Sequence, residues 1–343
     1  MAYTTIDKGS SYFNTKLYTG TGASLAITGV GFKPDWVWTK GRSVAFSHYL
    51  FDSVRGVGKR IMSNSTSNED TSIFGVSSFD SDGFTLGTDT GANNSGSTFV
   101  AWNWLGANTT VSNTSGSIIS TVSANTTAGF SIVSYTGTGA NATVGHGLGV
   151  APDMIICKSR TQAQNWATYH SSLGNTKAVF LDGTGAATTS SSYWNNTSPT
   201  STVFTVGNSG DVNYNAGTQI SYCFKSIKGY SKFGSYTGNS SADGTFIYTG
   251  FKPAWVMIKN STTAGDSWQL WDNKRLGYNV DNNPIFPNTS GAEGTSDISD
   301  ILSNGFKIRT TASGFNTSGD TYIYACFAEN PFVSSTGIPC TAR

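Results

Sequence analysis

Cysteine, histidine and charge are all scarce in these 343 residues, and each scarcity argues against a class of protein. The four cysteines, Cys157, Cys223, Cys326 and Cys340, lie far apart with no Cys-x-x-Cys spacing. They indicate neither a disulfide framework nor a zinc site and read as buried free thiols. Three histidines, His48, His146 and His170, form no His-x-His pair and supply little for a metal centre or a general base. Charged residues are 12% of the chain, about half the usual share. With a net charge of +1 and both signs scattered, no basic stripe addresses a phosphate backbone, so nucleic acid is not an expected partner. No run approaches the roughly 20 apolar residues of a membrane span, which argues against insertion. The polar start, Met-Ala-Tyr-Thr-Thr-Ile-Asp-Lys, lacks the apolar core of a signal peptide. Assembly in a cytoplasm is therefore expected, and triplets such as Asn64-Ser65-Thr66 carry no glycosylation signal there.

Glycine, at 40 residues, is abundant, and the rest is crowded with Ser, Thr and Asn. Aromatic residues at 13% separate this composition from that of disordered chains, which cannot bury enough apolar surface. No segment holds an apolar pattern at helical spacing. Short β-branched and aromatic runs instead alternate with Gly, Asn, Asp and Ser clusters about every ten residues, the pattern of sandwiches and jelly rolls.

One segment occurs three times. Phe32-Lys33-Pro34-Asp35-Trp36-Val37-Trp38-Thr39-Lys40 returns as Val150-Ala151-Pro152-Asp153-Met154-Ile155-Ile156-Cys157-Lys158 and as Phe251-Lys252-Pro253-Ala254-Trp255-Val256-Met257-Ile258-Lys259. Tyr-Thr-Gly precedes each copy, at Tyr18, Tyr135 and Tyr236. After it come His48 to Ser53, Trp166 to Ser171 and Trp268 to Asn273, then a turn before Phe84, Phe204 or Phe306, and a closing strand after Gly96, Gly217 or Gly319. The spacing between matched positions stays nearly constant, which argues for duplication. The expected fold is all-β, with three tandem β-sandwich, jelly-roll-like repeats of about 100–120 residues each. They span residues 1–106, 107–227 and 228–343, the last with a C-terminal tail. The small polar stretch 106–117 and the shorter 225–229 read as linkers.

Side chains alternate across a strand, so Val37, Ile155, Cys157, Val256 and Ile258 share one face of the Pro strand. Trp36, Trp38, Met154, Ile156, Trp255 and Met257 share the other. Both faces are apolar, and a strand covered on one side only would carry polar residues opposite. The second face is expected to pack against another unit or subunit. Pro34, Pro152 and Pro253 stand where a strand can begin, and Asp82-Gly83 and Asn304-Gly305 suit hairpin turns.

Chemistry is sparse. Asp80 and Asp82 form the most accessible carboxylate pair, but they sit where a hairpin turn asks for Asp and Gly, with weak calcium ligation as the alternative. No nucleophile elbow, phosphate-cradling loop or dinucleotide fingerprint is present. The chain is expected to be no enzyme, with no catalytic, cofactor-binding or metal-binding residue and no cofactor. Binding is the open role. Tyr193 and Trp194, in Ser192-Tyr193-Trp194-Asn195-Asn196-Thr197, and Tyr214, between Asn213 and Asn215, set rings among amides and hydroxyls that suit a glycan or receptor contact. The competing reading makes these rings part of the sandwich edge.

Several longer strings resemble a repeat family of tailed bacteriophages, frequent in phages of marine and cyanobacterial hosts. They are Pro34 to Trp38, Leu50-Phe51-Asp52-Ser53-Val54-Arg55-Gly56, Ser78 to Gly87, Phe99 to Trp104, Val144 to Pro152, Gly250 to Pro253 and Ala328-Glu329-Asn330-Pro331-Phe332. Members are described as tail-fibre or virion structural proteins. The resemblance implies a virion component on the tail or particle surface: a tail fibre or receptor-binding protein for host attachment. It also implies other virion proteins and a host polysaccharide or protein receptor as partners, and self-association as a homotrimer. The alternative within that setting is a purely structural capsid decoration or tail collar protein. A glycan-degrading tailspike is a third reading, but no short solenoid repeat is visible. Repeat sequence begins within the first twenty residues, and no heptad or collagen-like shaft follows, so either a compact fibre or a protein bound to the virion by one of its own units is expected.

Overall fold

A computed structural model describes residues 4–72, 74–275, 279 and 283–331. Cys340 and Phe332 lie outside the described residues. The chain is all-β, and among the described residues no helix exceeds four residues. Among the described residues three larger sheets and three smaller ones hold the strands, and every pair of neighbouring strands in them is antiparallel.

The first large sheet runs Phe13–Thr19, Thr98–Trp104, Trp36–Gly41, Tyr49–Asp52, Lys59–Met62, Asp70–Thr71. The third repeats its first four positions with Ser231–Thr237, Thr321–Pro331, Phe251–Asn260 and Gln269–Asp272. The second holds the same order in its middle: Phe130–Thr136, Thr218–Phe224, Met154–Ser159, Ala167–His170. In each sheet the closing strand slots between the opening strand and the Pro strand. The stretch read as a linker differs from expectation: Val111–Asn113 pairs with Ser120–Asn125 as the edge of the second sheet. Its β-branched Val111 is enough for a three-residue edge despite polar neighbours.

A small sheet covers one face of each large sheet. Ile27, Phe84 and Leu86 pack on Val37, Phe51 and Ala101. Val144, Phe204 and Val206 pack on Ile155, Cys157 and Cys223, and Ile247, Phe306 and Ile308 pack on Val256, Ile258 and Cys326. These are two-layer sandwiches with side chains alternating between layers.

The Tyr-Thr-Gly segments fasten one end of each sandwich. Tyr18, Tyr135 and Tyr236 donate their hydroxyls to the carbonyls of Ala92, Val212 and Phe315, at 2.7, 2.5 and 2.7 Å. The following glycines are required by close approach, since a Cβ on Gly20, Gly137 or Gly238 would stand 2.2–2.3 Å from a backbone oxygen. Proline behaves differently in the third sheet. Pro253 lies inside Phe251–Asn260, where the register shifts on either side of it. A bulge frees a position from the ladder, so a residue without an N–H is tolerated there.

Candidate functional site

The second faces of the three Pro strands meet in one core. Trp36, Trp38, Met154, Ile156, Trp255 and Met257 all belong to it and none is more than 2% exposed. Trp36 stacks on Tyr222 with centroids 4.4 Å apart, Trp104 meets Trp255 edge-on at 5.7 Å, and Phe13 stacks on Phe327 at 5.2 Å. Edge-on and offset contacts of this kind add roughly 0.5–1.5 kcal/mol each beyond burial. The packing these residues provide is therefore between sheet pairs of one chain.

Around this core, polar groups fasten the sheet pairs in a cycle: second onto first, first onto third, third onto second. The Pro strand's lysine is the repeated element. Lys158 Nζ donates to Thr66 O at 2.9 Å, Lys40 Nζ to Ser290 O at 3.2 Å, and Lys259 Nζ to Thr184 O at 3.3 Å. Burial pushes each of the three ammonium groups down to about 8. Ring nitrogens repeat the pattern at the hairpin strand: Trp166 Nε1 donates to Met62 O, His48 Nε2 meets Phe286 O and Trp268 Nε1 donates to Phe180 O.

Two of the three seams also carry ion pairs. Arg55 pairs with Asp52, both fully buried, and Tyr222 of the second pair donates its hydroxyl to that carboxylate at 2.8 Å. Arg275 pairs with Asp272 at 2.7 Å, and Trp102 of the first pair donates Nε1 to Asp272 at 2.9 Å. Outside these, Arg160 grips Glu69 with two bonds of 2.9 and 3.0 Å, and Arg42 grips Glu293 with two of 2.8 and 3.1 Å. Bidentate guanidinium–carboxylate pairs fix geometry as well as charge.

At the third seam the same positions are neutral. His170 stands where the others have Asp52 and Asp272. Its Nδ1 accepts from Ser172 N, which leaves Nε2–H to donate to Tyr324 O at 3.1 Å. Burial pushes His170 down to about 4. Ala187 replaces the glutamate, keeping only its backbone bond to Ser261 O at 3.0 Å. His48 and His146 are also buried, and burial lowers both.

The Pro strands differ at one further position. Asp35 Oδ2 accepts from the backbone N–H groups of Gly106 and Asn108, at 2.8 and 3.0 Å, and Oδ1 accepts from Ser53 Oγ at 2.5 Å. Burial raises its carboxyl above the usual range, against the pull of these bonds. Asp153 likewise accepts from Ser226 N at 2.8 Å and pairs with Lys225 at 3.1 Å. Each aspartate thus clamps the segment that leaves its own closing strand. In the third copy the residue is Ala254, and beside it lies a cavity of ≈ 180 Å³ lined by Ser10, Thr15, Asn273, Lys274 and Glu329 among others.

Trp194 corrects the sequence reading. It is 1% exposed, donates Nε1 to Lys177 O at 3.0 Å and packs edge-on against Tyr169, so its ring belongs to the second sandwich and has no free face. A one-turn helix, Ser191–Trp194, rotates it inward. Tyr193 is half-buried against Phe180, and Tyr214 half-buried after Asn213. The structure does not bring these two rings and Trp194 into one exposed cluster. Asp80 and Asp82 are both engaged locally: Asp80 accepts from Thr85 Oγ1 at 2.7 Å, and Asp82 from Gly29 N and Gly31 N at 2.9 and 2.6 Å. Among the described residues no group of three His, Cys, Asp or Glu side chains is placed to hold a metal.

A family model described as Domain of unknown function (DUF7483) matches residues 8–331. The chain belongs to that family. The matched span takes in all six sheets, so the family is matched at the length of the whole interlocked body and not of one sandwich. No curated protein and no solved structure matched the chain.

Sequence reasoning missed three buried asparagines, Asn93, Asn213 and Asn316. Each sits on a single-turn helix and accepts, at 2.7–2.8 Å, from the residue after the Tyr-Thr-Gly glycine while its amide donates to two or more carbonyls. The available signal was an Asn three or four residues before Gly96, Gly217 and Gly319.

Proposed function

We propose that this chain is a bacteriophage virion protein acting as a tail fibre or receptor-binding protein in host attachment, built from three copies of one β-sandwich. The observation that carries the reading is the cycle of seams around a shared aromatic core. It supports a rigid body that needs no separate shaft to hold three sandwiches in fixed relation, and the virion setting comes from the residue strings that resemble the tailed-phage repeat family. Because the apolar Pro-strand faces are buried within one chain, they leave no such face for a homotrimer. Any self-association would use other surfaces.

Adsorption measurements test the role directly. Purified protein at saturation is expected to bind host cells and slow phage adsorption; protein that does neither removes the receptor role. A structural collar or decoration role is the second reading, favoured by the open edge strand Val111–Asn113. There Val111 and the nearby Ile119 are 59% and 66% exposed. Unpaired edges and exposed apolar side chains suit a permanent protein neighbour. Cryo-electron microscopy of the particle separates the readings: density over that edge on a collar or capsid favours the second, and density at the distal tail favours the first.

A further inference from the structure

We infer that two copies of this chain join through the edge strand Val111–Asn113, paired antiparallel with itself across a two-fold axis. The inference goes beyond the virion role and holds for either reading of it. Charge is the first observation. Charged residues are 12% of the chain, yet none occurs between Asp89 and Asp153. The histidine in that span, His146, is buried, and burial favours its neutral form. This charge-free stretch supplies the outer strands of the second sheet, Val111–Asn113 and Ser120–Asn125, and residues 107–112 are all exposed.

The edges of the large sheets give the second observation. Phe13–Thr19, Asp70–Thr71 and Ser231–Thr237 carry Lys16, Asp70 and Lys232, and a charge on an edge strand discourages pairing with another chain. Phe130–Thr136, the counterpart of the first and last of these, has no charge and is covered by Ser120–Asn125. Leu270 of Gln269–Asp272 is bridged to Ile285, and Thr188–Thr189 presents no large apolar side chain. Among the described residues that leaves Val111–Asn113 as the bare large-sheet edge with neither charge nor cover. It is flanked by Val111 and Ile119, 59% and 66% exposed.

The occupant follows from these features. A face without charge of either sign does not select an oppositely charged partner and does not repel its own copy, and interface centres are depleted in charge in the same way. An edge strand is also self-complementary. Turned by a two-fold, its outward N–H and C=O groups meet their opposites, and two-fold dimers are the commonest closed oligomers. With Ser112 on the axis, Val111 stands opposite the second copy's Asn113. Val111 shares a face with its buried cross-strand neighbour Val122, whereas Thr121 and Ile119 point the other way, so the join covers apolar surface on both faces.

Sedimentation velocity of the full chain, from dilute to concentrated protein, tests the pairing. The mass of two chains is expected at the upper end. Val111→Lys gives this edge the kind of charge that Lys16 and Lys232 give the others, and should leave one chain at every concentration with an unchanged unfolding midpoint. Leu17→Lys, at an apolar side chain 38% exposed on a different edge, should leave the two-chain mass intact. Cross-linking reads the geometry. In Cys340→Ser protein, whose other three cysteines are buried, Ser112→Cys should form a covalent dimer under mild oxidation, because facing residues of an antiparallel pair stand about 4.5–5.5 Å apart, within disulfide reach. Thr88→Cys, exposed in the first sandwich, should not. A single chain at all concentrations, a three-chain mass, a two-chain mass that survives Val111→Lys, or cross-linking no better at 112 than at 88 overturns the inference. So does particle density in which a different virion protein covers this edge.

Discussion

The seam of the second sheet pair on the first and the seam of the third on the second share a layout but not a chemistry. Both have a buried lysine bonded to a facing carbonyl, an indole N–H on a backbone oxygen and a backbone bond beside the Pro strand. The first of them adds Asp52, Arg55, Glu69 and Arg160; the second has His170, Leu173, Ala187 and Ser261 instead. The geometry is therefore carried by packing and backbone bonds, and the ion pairs are an addition to it. This agrees with the general finding that a buried pair, once its desolvation is counted, can be exchanged for neutral groups of similar volume, whereas half a pair cannot be left behind.

Breaking one partner at the charged seam should have the largest effect. Asp52→Ala leaves buried Arg55 with only the longer 3.3 Å carboxylate contact to Glu69 and removes the acceptor of the Tyr222 hydroxyl, and is expected to lower unfolding free energy by about 3–5 kcal/mol in denaturant titration. His170→Ala at the neutral seam removes one buried donor and should lose about 1–3 kcal/mol. Equal losses would mean the charges do not distinguish the seams.

Acid should weaken the neutral seam. His170 is held neutral with a pKa of about 4, against about 6.5 in an unfolded chain. Between those values the unfolded chain holds a proton that the folded chain lacks, so stability falls as pH drops from about 6.5 to about 4. His48 and His146 act in the same direction, so the diagnostic is a difference: His170→Gln should unfold with a shallower acid slope than the parent. An unchanged slope would place the acid sensitivity elsewhere.

A transplant sharpens the comparison further. Asp52→His with Arg55→Leu carries the neutral seam's residues to the charged one and should lose only about 1–2 kcal/mol, less than Asp52→Ala alone. A double variant worse than the single would show that the two seams are not interchangeable. Tyr222→Phe is the mildest change. It removes one hydroxyl from Asp52 while Arg55 stays, and a loss of about 1 kcal/mol is expected from the unfolding midpoint.

How much was legible from the chain follows the same physics. Alternation along Trp36-Val37-Trp38 and its counterparts read out correctly which side chains face which way, because a strand fixes direction with period two and needs no knowledge of the neighbour. The inward turn of Trp194 was not legible, since one short helix decides it. Nor was the bulge that admits Pro253, which depends on register with the closing strand. The clamp made by Asp35 and Asp153 was hidden in a Pro-Asp pair that reads equally well as a strand start.

By itself the sequence determined the all-β composition, the threefold spacing and the two apolar faces of each Pro strand, because these rest on local periodicity and propensity. Only the tertiary structure decided what covers the second face, which seams carry charge and where a polar cavity is left open. Those outcomes depend on pairing residues far apart in the chain, such as Tyr222 with Asp52 and Trp102 with Asp272, and long-range contact has no local signature.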